Sequence, residues 1–155
     1  MSDPVLETAL KITGRLTIEL RDEAGELLEF REVPNIVTTA GKTFIAASLA
    51  KTTSNSPAAM THMAVGTSST TPAVGDTTLG AEVAGSRTAL TSTTPSTNTC
   101  VYVCTFGAGV GTGSLVEAGI FNNSSGGTLL CRTTFGRITK GASDILTVTW
   151  TVTIN

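Results

Sequence analysis

The chain has 155 residues, a formal net charge of −2 and only 14% charged residues. It therefore has neither the basic surface that holds a nucleic-acid backbone nor an acidic run that would attract a basic partner. Threonine supplies about one residue in five, and there are 16 glycines. Because β-branched threonine favours strands and glycine favours turns, the composition predicts an all-β protein.

The amino-terminal residues 1–11 are predicted to form a short arm or a single helical turn. Val5, Leu6 and Leu10 show no strand-like alternation in this segment. The segment also lacks the basic start and apolar run of an export signal, and no part of the chain is long and apolar enough to span a bilayer. We therefore expect synthesis in a cytoplasm and no membrane partner.

From Ile12 to Leu20, apolar and polar residues alternate, which predicts a half-buried strand. Residues 22–25 carry turn chemistry, so residues 26–33 are predicted to return as the second strand of a hairpin. Pro34 and Asn35 are expected to end that strand.

Residues 39–50 change to a helical period, with apolar side chains three and four positions apart. Thr38 or Thr39 can supply the amino-terminal cap, so we predict one amphipathic helix here. The polar residues 51–59, which include Pro57, are predicted to form a loop.

Residues 67–80, called the connector below, are rich in Thr, Ser and Gly but contain the apolar Leu79. We interpret them as an ordered connection rather than a flexible linker. Further strands are predicted at residues 60–65, 87–93, 99–106, 115–122, 128–135 and 144–154, separated by turns at residues 95–98, 107–113, 122–127 and 140–142.

The last strand alternates threonine with large apolar residues, and its register places Trp150 in the core. Short strands joined by glycine-rich turns predict a mainly β fold, an antiparallel β-sandwich or jelly-roll-like barrel with one short helix. Residues 12–155 are expected to form a single domain behind the arm of residues 1–11.

No arrangement of reactive residues predicts catalysis. His62 is the only histidine, and no cysteine or acid lies at metal-ligand spacing from it. The glycine-rich residues 107–113 precede strand-like residues rather than the helix that a phosphate-binding loop opens. No serine lies in a Gly-x-Ser-x-Gly elbow. We therefore predict neither an enzyme nor a metal or cofactor site.

The remaining reactive residues are interpreted as structural. Asp76, Glu82 and Glu117 are scattered along the sequence, and the position of Glu82 near Arg87 favours a structural ion pair. The cysteines form no CxxC motif and, without an export signal, are predicted to remain free as small packing residues. They are Cys100, Cys104 and Cys131.

A series of short phrases extends over residues 12–154. Its members are residues 35–42 (NIVTTAGK), 63–67 (MAVGT), 78–82 (TLGAE) with Arg87, 117–122 (EAGIFN), 127–132 (GTLLCR) and 140–142 (KGA). In their order and spacing these phrases resemble small virion structural proteins of tailed bacteriophages. That group includes capsid decoration, or cement, proteins and modules associated with tail fibres or baseplates.

The resemblance implies a non-enzymatic protein that sits on the shell of the major capsid protein, often as a homo-oligomer, and stabilises the head. A free-standing domain of this size favours decoration at the capsid surface of the virion. The predicted partner contacts are Val5, Leu6 and Leu10 of the arm and Pro57 of the 51–59 loop.

Two alternatives remain open at this stage. The chain could be a tail adaptor, a fibre-attachment protein or a baseplate-associated module. It could also be a carbohydrate-binding module, which would need an exposed Trp or Tyr on which a sugar could stack. Nucleic acid is not an expected partner.

Overall fold

The computed structural model describes residues 10–50, 54 and 56–155. An antiparallel sheet of nine strands is curled into a half-barrel and carries one short helix, which confirms the predicted fold class. The elements are β1 (Ile12–Arg21), β2 (Leu27–Val37), α1 (Thr39–Ser48), β3 (His62–Gly66), β4 (Thr88–Ala89), β5 (Ser92–Ser96), β6 (Thr99–Phe106), β7 (Gly113–Phe121), β8 (Leu129–Lys140) and β9 (Ile145–Ile154).

The sheet curls because single runs of chain take part in both of its halves. The strand order is β4-β3-β7-β8-β2-β1-β9-β6-β5. Up to Asn35, β2 pairs with β1, and its last two residues, Ile36 and Val37, pair with β8. The two edge strands, β4 and β5, are separated in sequence by only Leu90 and Thr91. One short run of chain therefore supplies both edges and draws them together.

We call β1, β9, β6 and β5 the threonine half, and β4, β3, β7 and β8 the connector half; β2 joins them. Their inner faces meet in one apolar core, which is drawn from β1, β3, β6, β7, β8 and β9. Trp150 of β9 is fully buried there, as its register predicts, and its Nε1 donates a hydrogen bond to Asn35 Oδ1 at 2.7 Å. The indole thereby buries its apolar area while its N–H keeps a partner.

Several predicted boundaries were wrong. Pro34 and Asn35 do not end β2, because they pair with Arg15 and Gly14 of β1 before the strand passes to β8. The strand predicted at residues 87–93 is split into β4 and β5, where the chain crosses from one half to the other. A strand that changes partners keeps an extended backbone through residues that usually interrupt one.

The carboxyl ends of two elements also differ from their predicted positions. Strand β8 continues beyond Phe135 to Lys140, since its later residues still pair with β7. The helix ends at Ser48 rather than at residue 50. Both differences lie at element ends, where sequence patterns carry the least information.

The helix α1 packs against β8 of the connector half. Thr38 caps its amino terminus by accepting a hydrogen bond from the Gly41 N–H at 2.9 Å and donating one to the Leu129 carbonyl at 2.6 Å. Gly41 is buried, and a Cβ at this position would overlap the Leu130 carbonyl oxygen. A threonine and a glycine three residues apart thus fix how closely the helix approaches the sheet.

The connector lies over the outer face of the connector half. Leu79 is buried there in a second apolar cluster with Ala64, Phe121 and Leu129, so the connector is ordered, as its sequence predicts. The outer face of the threonine half carries no such layer in the described part of the chain. Its residues are half-exposed or exposed along β9 and β5.

Candidate functional site

The β1–β2 hairpin ends in a tightly bonded turn. The Gly25 N–H donates to the Asp22 carbonyl, the Asp22 N–H donates to the Glu26 carbonyl, and the Arg21 guanidinium donates to the Gly25 carbonyl, each at 3.0 Å. Gly25 has a φ of 87°, which a glycine adopts without the strain that a side chain would cause. These bonds therefore define the backbone of the turn.

Four large apolar side chains are exposed beside this turn, and we call them the hairpin patch. Leu27 and Leu28 are each 50% exposed, Phe30 is 47% exposed and Ile145 is 38% exposed. Leu27 pairs with Arg21, which pairs with Ile145, so the patch crosses β2, β1 and β9. Apolar side chains gathered on a rigid surface are typical of protein–protein contact sites.

Ion pairs and further acidic side chains surround the hairpin patch. Arg21 bonds to Glu19 at 3.0 Å, Arg31 bonds to Glu29 at 2.7 Å, and further along the hairpin Arg15 pairs with Glu32. Each of these pairs is neutral, but Asp22, Glu23 and Glu26 of the turn form no ion pair among the described residues, so the hairpin carries an excess of negative charge. Contact here would combine apolar area with attraction for basic groups of a partner.

Beside the hairpin patch lies the outer face of the threonine half. Thr149 of β9 stands between Thr17 of β1 and Val103 of β6, and Thr151 stands between Arg15 and Val101. The strands are about 4.8 Å apart, so the hydroxyl and methyl groups of β9 and β6 form a regular, uncharged array. On β1 this array is bordered by the charged side chains of Arg15, Glu19 and Arg21.

A second apolar surface lies at the other end of the strands, between α1 and the turn at Thr97 and Asn98. We call it the helix-end groove. It has a volume of about 190 Å³ and is open to solvent. One wall comes from α1 and β8 and the other from β6 and β9; the main apolar lining residues are Phe44, Ile45, Leu130, Val152 and Ile154, with Cys100 and Tyr102 at the β6 side.

The predicted contact residues are placed as follows. Leu10 is 72% exposed and precedes Lys11, whose backbone N–H and C=O each bond to Asn155, at 3.0 and 2.7 Å. Pro57 is half-buried and lies with Phe44 and Ala47 of α1 along a shallow depression. Val5 and Leu6 lie outside the described residues.

The structure brings Glu117 and Arg132 together beneath the connector, although they are 15 residues apart. Glu117 is fully buried and Arg132 is 2% exposed; the guanidinium donates to Glu117 Oε2 through Nε at 3.0 Å and Nη2 at 2.8 Å. Arg132 also donates to Asp76 at 2.8 Å and to the Thr70 carbonyl at 3.0 Å. Burial lowers the pKa of Arg132, but the hydrogen bonds and charges of both carboxylates outweigh it and raise that pKa.

Glu117 also holds both ends of the connector. Its carboxylate accepts hydrogen bonds from the N–H groups of Ser68 at 3.2 Å, Gly80 at 2.9 Å and Ala81 at 2.7 Å. With the guanidinium, these donors occupy both carboxylate oxygens. The cluster thus shapes the connector, and its carboxylate has no free lone pair directed at a substrate.

Arg87 fastens the chain just beyond the connector. Its guanidinium donates to Glu82 at 2.9 Å, which confirms the predicted ion pair, and to the carbonyls of Asn123 and Gly126 at 2.9 and 3.0 Å. It also lies 3.6 Å from the centre of the Phe121 ring, within cation–π range.

The thiols are poorly suited to nucleophilic chemistry. All three cysteines are free, as predicted. Burial raises the pKa of Cys104 to about 12 and that of Cys131 to about 12, so both remain protonated at neutral pH. His62 contacts only its neighbour Thr61, at 2.8 Å, among the polar side chains of the described residues. Within that same part of the chain, no three His, Cys, Asp or Glu side chains form a group that could hold a metal ion.

The sequence pattern gave one sign of the hairpin patch. Leu27 and Leu28 are adjacent, and in a regular strand one of two consecutive leucines must point away from the core. Both are exposed here, because the register of β2 with β1 shifts between Leu20 and Arg21. The apolar residues of the arm were a second candidate for partner contact. The sequence does not show which of the two regions is the better candidate. The pairing of Glu117 with Arg132 had no sequence signal, because it depends on the register of β7 and β8.

Comparison of the chain with protein-family models, with curated proteins and with solved structures finds no match. Among the described residues, no helix has the length and apolar character needed to cross a membrane.

Proposed function

We propose that this protein is a non-enzymatic structural component of a tailed-phage virion that decorates the capsid, binds the shell of the major capsid protein and stabilises the head. The sequence phrases described above support this proposal by their resemblance to phage virion proteins. The observation that points to a particular surface is the hairpin patch, four exposed apolar side chains beside the hydrogen-bonded β1–β2 turn.

The geometry of the threonine half suits repeated contact with a regular shell. The β9 and β6 part of its outer face is uncharged, and the hairpin patch lies at one end of this face. A single copy would gain modest affinity from such a surface, whereas many copies on one shell, or oligomers that bridge neighbouring subunits, would be held firmly. Homo-oligomers on the virion are therefore part of the proposal.

The carbohydrate-binding alternative loses the support that it required. The only tryptophan, Trp150, is fully buried, and the only tyrosine, Tyr102, is 8% exposed. Neither ring can offer an open face to a sugar. No observation specifically favours the tail-adaptor alternative. The binding experiment below distinguishes it from the capsid role.

Binding to empty, expanded heads of the phage that encodes the chain tests the proposal. We expect the protein to co-sediment at a fixed ratio to the major capsid protein. The double variant L28S/F30S should raise the Kd at least tenfold, because apolar residues at the centre of a contact carry most of its energy.

Val74→Ser is the matched control, since Val74 is 56% exposed but lies in the connector, above the other half. Its Kd should equal that of the parent protein. Failure of the parent protein to bind heads while it binds tails would overturn the capsid assignment. Equal binding by L28S/F30S and the parent would exclude the hairpin patch as the contact.

A further inference from the structure

The helix-end groove leaves a set of apolar side chains facing solvent. Phe44 and Ile45 of α1 form one wall and are only partly buried, and Ile154 at the end of β9 is 40% exposed. The volume of about 190 Å³ exceeds the roughly 150 Å³ of an engineered protein cavity that accepts benzene. The groove is thus large enough for one or two aliphatic side chains.

The amino-terminal segment enters the sheet beside this groove. Ile12 pairs with Ile154, which lines the groove, and Lys11 bonds to Asn155 through both of its backbone groups. Leu10 is the first described residue and is 72% exposed at this point. Nine residues precede it in the sequence, and they include the adjacent apolar pair Val5 and Leu6.

The distances allow that pair to reach the groove within the same chain. Cys100 on β6 lies two strands from β1, and two strand spacings are about 10 Å. Leu6 is four residues from Leu10, and four extended residues span up to about 13 Å. A second copy of the chain is therefore not needed to supply the segment.

We propose that Val5 and Leu6 occupy the helix-end groove of their own chain, packed between α1 and the ends of β6 and β9. In this arrangement the apolar pair is used inside the molecule rather than against the capsid, in contrast to the contact role that the sequence predicts for it. The proposal is independent of the capsid function, since it concerns only contacts within one chain.

Cys100 provides a natural reporter of the groove. It lines the groove and is partly exposed, whereas Cys104 and Cys131 are fully buried. A small aromatic disulfide such as 5,5′-dithiobis(2-nitrobenzoate) should therefore report on Cys100 alone in the native protein, and its reaction rate should fall when the groove is occupied.

We expect V5S/L6S to accelerate labelling of Cys100 about tenfold in the full-length protein, because the partial burial of two aliphatic side chains is worth roughly 1–3 kcal/mol. Thr8→Ser, in the same segment, is the matched control and should react at the parent rate. Equal rates for V5S/L6S and the parent would overturn the proposal. A parent rate that falls with rising protein concentration would also overturn it, since a second copy would then be covering the groove.

A cross-link tests the same contact without removing it. In L6C, mild oxidation should join the introduced thiol to Cys100 within one chain, as peptide mapping would show, and the corresponding S2C variant should cross-link less. A Cys100-linked dimer would assign the groove to a second copy, and the absence of any link to Cys100 would exclude the segment. Either result would overturn the proposal.

Discussion

The outer faces of the two halves of the sheet differ in what covers them. On the threonine half, strand β9 alternates buried apolar residues with half-exposed threonines, and no described segment lies above them. On the connector half, residues 117–121 of β7 and the first part of β8 are buried on both faces, because the connector and α1 lie over them. One half thus leaves its outer face to solvent, and the other closes its outer face with the chain itself.

The difference shows how each face deals with its polar groups. Threonine on an open face needs no protein partner, because water satisfies its hydroxyl. A charged pair under a loop must be hydrogen-bonded almost completely, and Glu117 and Arg132 achieve this with each other, Asp76 and backbone groups of the connector. The polar groups of the covered face therefore stabilise the fold, whereas those of the open face remain available for contact with a partner.

The largest effect should come from the covered face. Glu117→Ala leaves Arg132 buried beside a single partly exposed carboxylate and removes the acceptor of the N–H groups of Ser68 and Gly80 in the connector and of Ala81 just beyond it. We expect the free energy of unfolding to fall by about 3–5 kcal/mol in urea denaturation, as for other buried pairs that lose one partner.

The control is Glu82→Ala, which breaks the more exposed pair with Arg87 and should cost no more than about 1 kcal/mol. Equal losses in the free energy of unfolding would show that the buried cluster stabilises the fold no more than the exposed pair does.

The inner faces of the two halves can be compared through their thiols. Cys104 lies on β6 of the threonine half and Cys131 on β8 of the connector half, and burial raises the pKa of each from 9.0 to about 12. Above pH 9 the unfolded chain releases these protons and the folded chain retains them, so stability should fall as the pH rises towards 12. The loss should be about 1 kcal/mol per thiol for each pH unit.

Lys140 acts in the opposite direction, since burial lowers its pKa and its contribution to stability rises with alkaline pH. Urea denaturation between pH 8 and 10 measures the net slope, and Cys104→Ala or Cys131→Ala should each remove about half of the thiol contribution. A slope that neither substitution changes would contradict the dry environment of both thiols.

The smallest effect is expected on the open face. Thr149 lies in the middle of it, between Thr17 and Val103. Thr149→Val should change the free energy of unfolding by no more than about 0.5 kcal/mol, because a surface substitution of similar shape disturbs little.

The adjacent inward position supplies the comparison. Val148→Thr places a hydroxyl in the core and should cost about 1–3 kcal/mol. If the two substitutions had similar effects in the same denaturation experiment, the outer face would also be buried, by a layer of protein outside the described residues.

The sequence predicted the threonine half better than the connector half for a physical reason. A strand with one wet and one dry face alternates visibly, and this pattern located β1, β6 and β9 and the burial of Trp150. In β8, Gly136 and Arg137 are both exposed where the register with β7 shifts, which breaks the alternation, so the continuation of β8 from Phe135 to Lys140 was not predicted. The passage of β2 through Pro34 was also missed, because a change of pairing partner leaves no local signature.

The candidate surfaces were predicted in part. Leu10 is exposed at the point where the arm meets the sheet, but the hairpin patch was missed, since Phe30 and Ile145 come together only through the pairing of β2, β1 and β9. The buried cluster of Asp76, Glu117 and Arg132 was missed for the same reason. Local patterns predict which residues are apolar, but the register decides which of them meet.

The proposed capsid role is tested most directly by cryo-electron microscopy of the virion to which the proposal assigns the chain. We expect density for this half-barrel on the outside of the head, at a fixed ratio to the major capsid protein, with Leu28 and Phe30 turned towards the shell. Density confined to the tail, or the absence of the protein from the particle, would contradict the assignment.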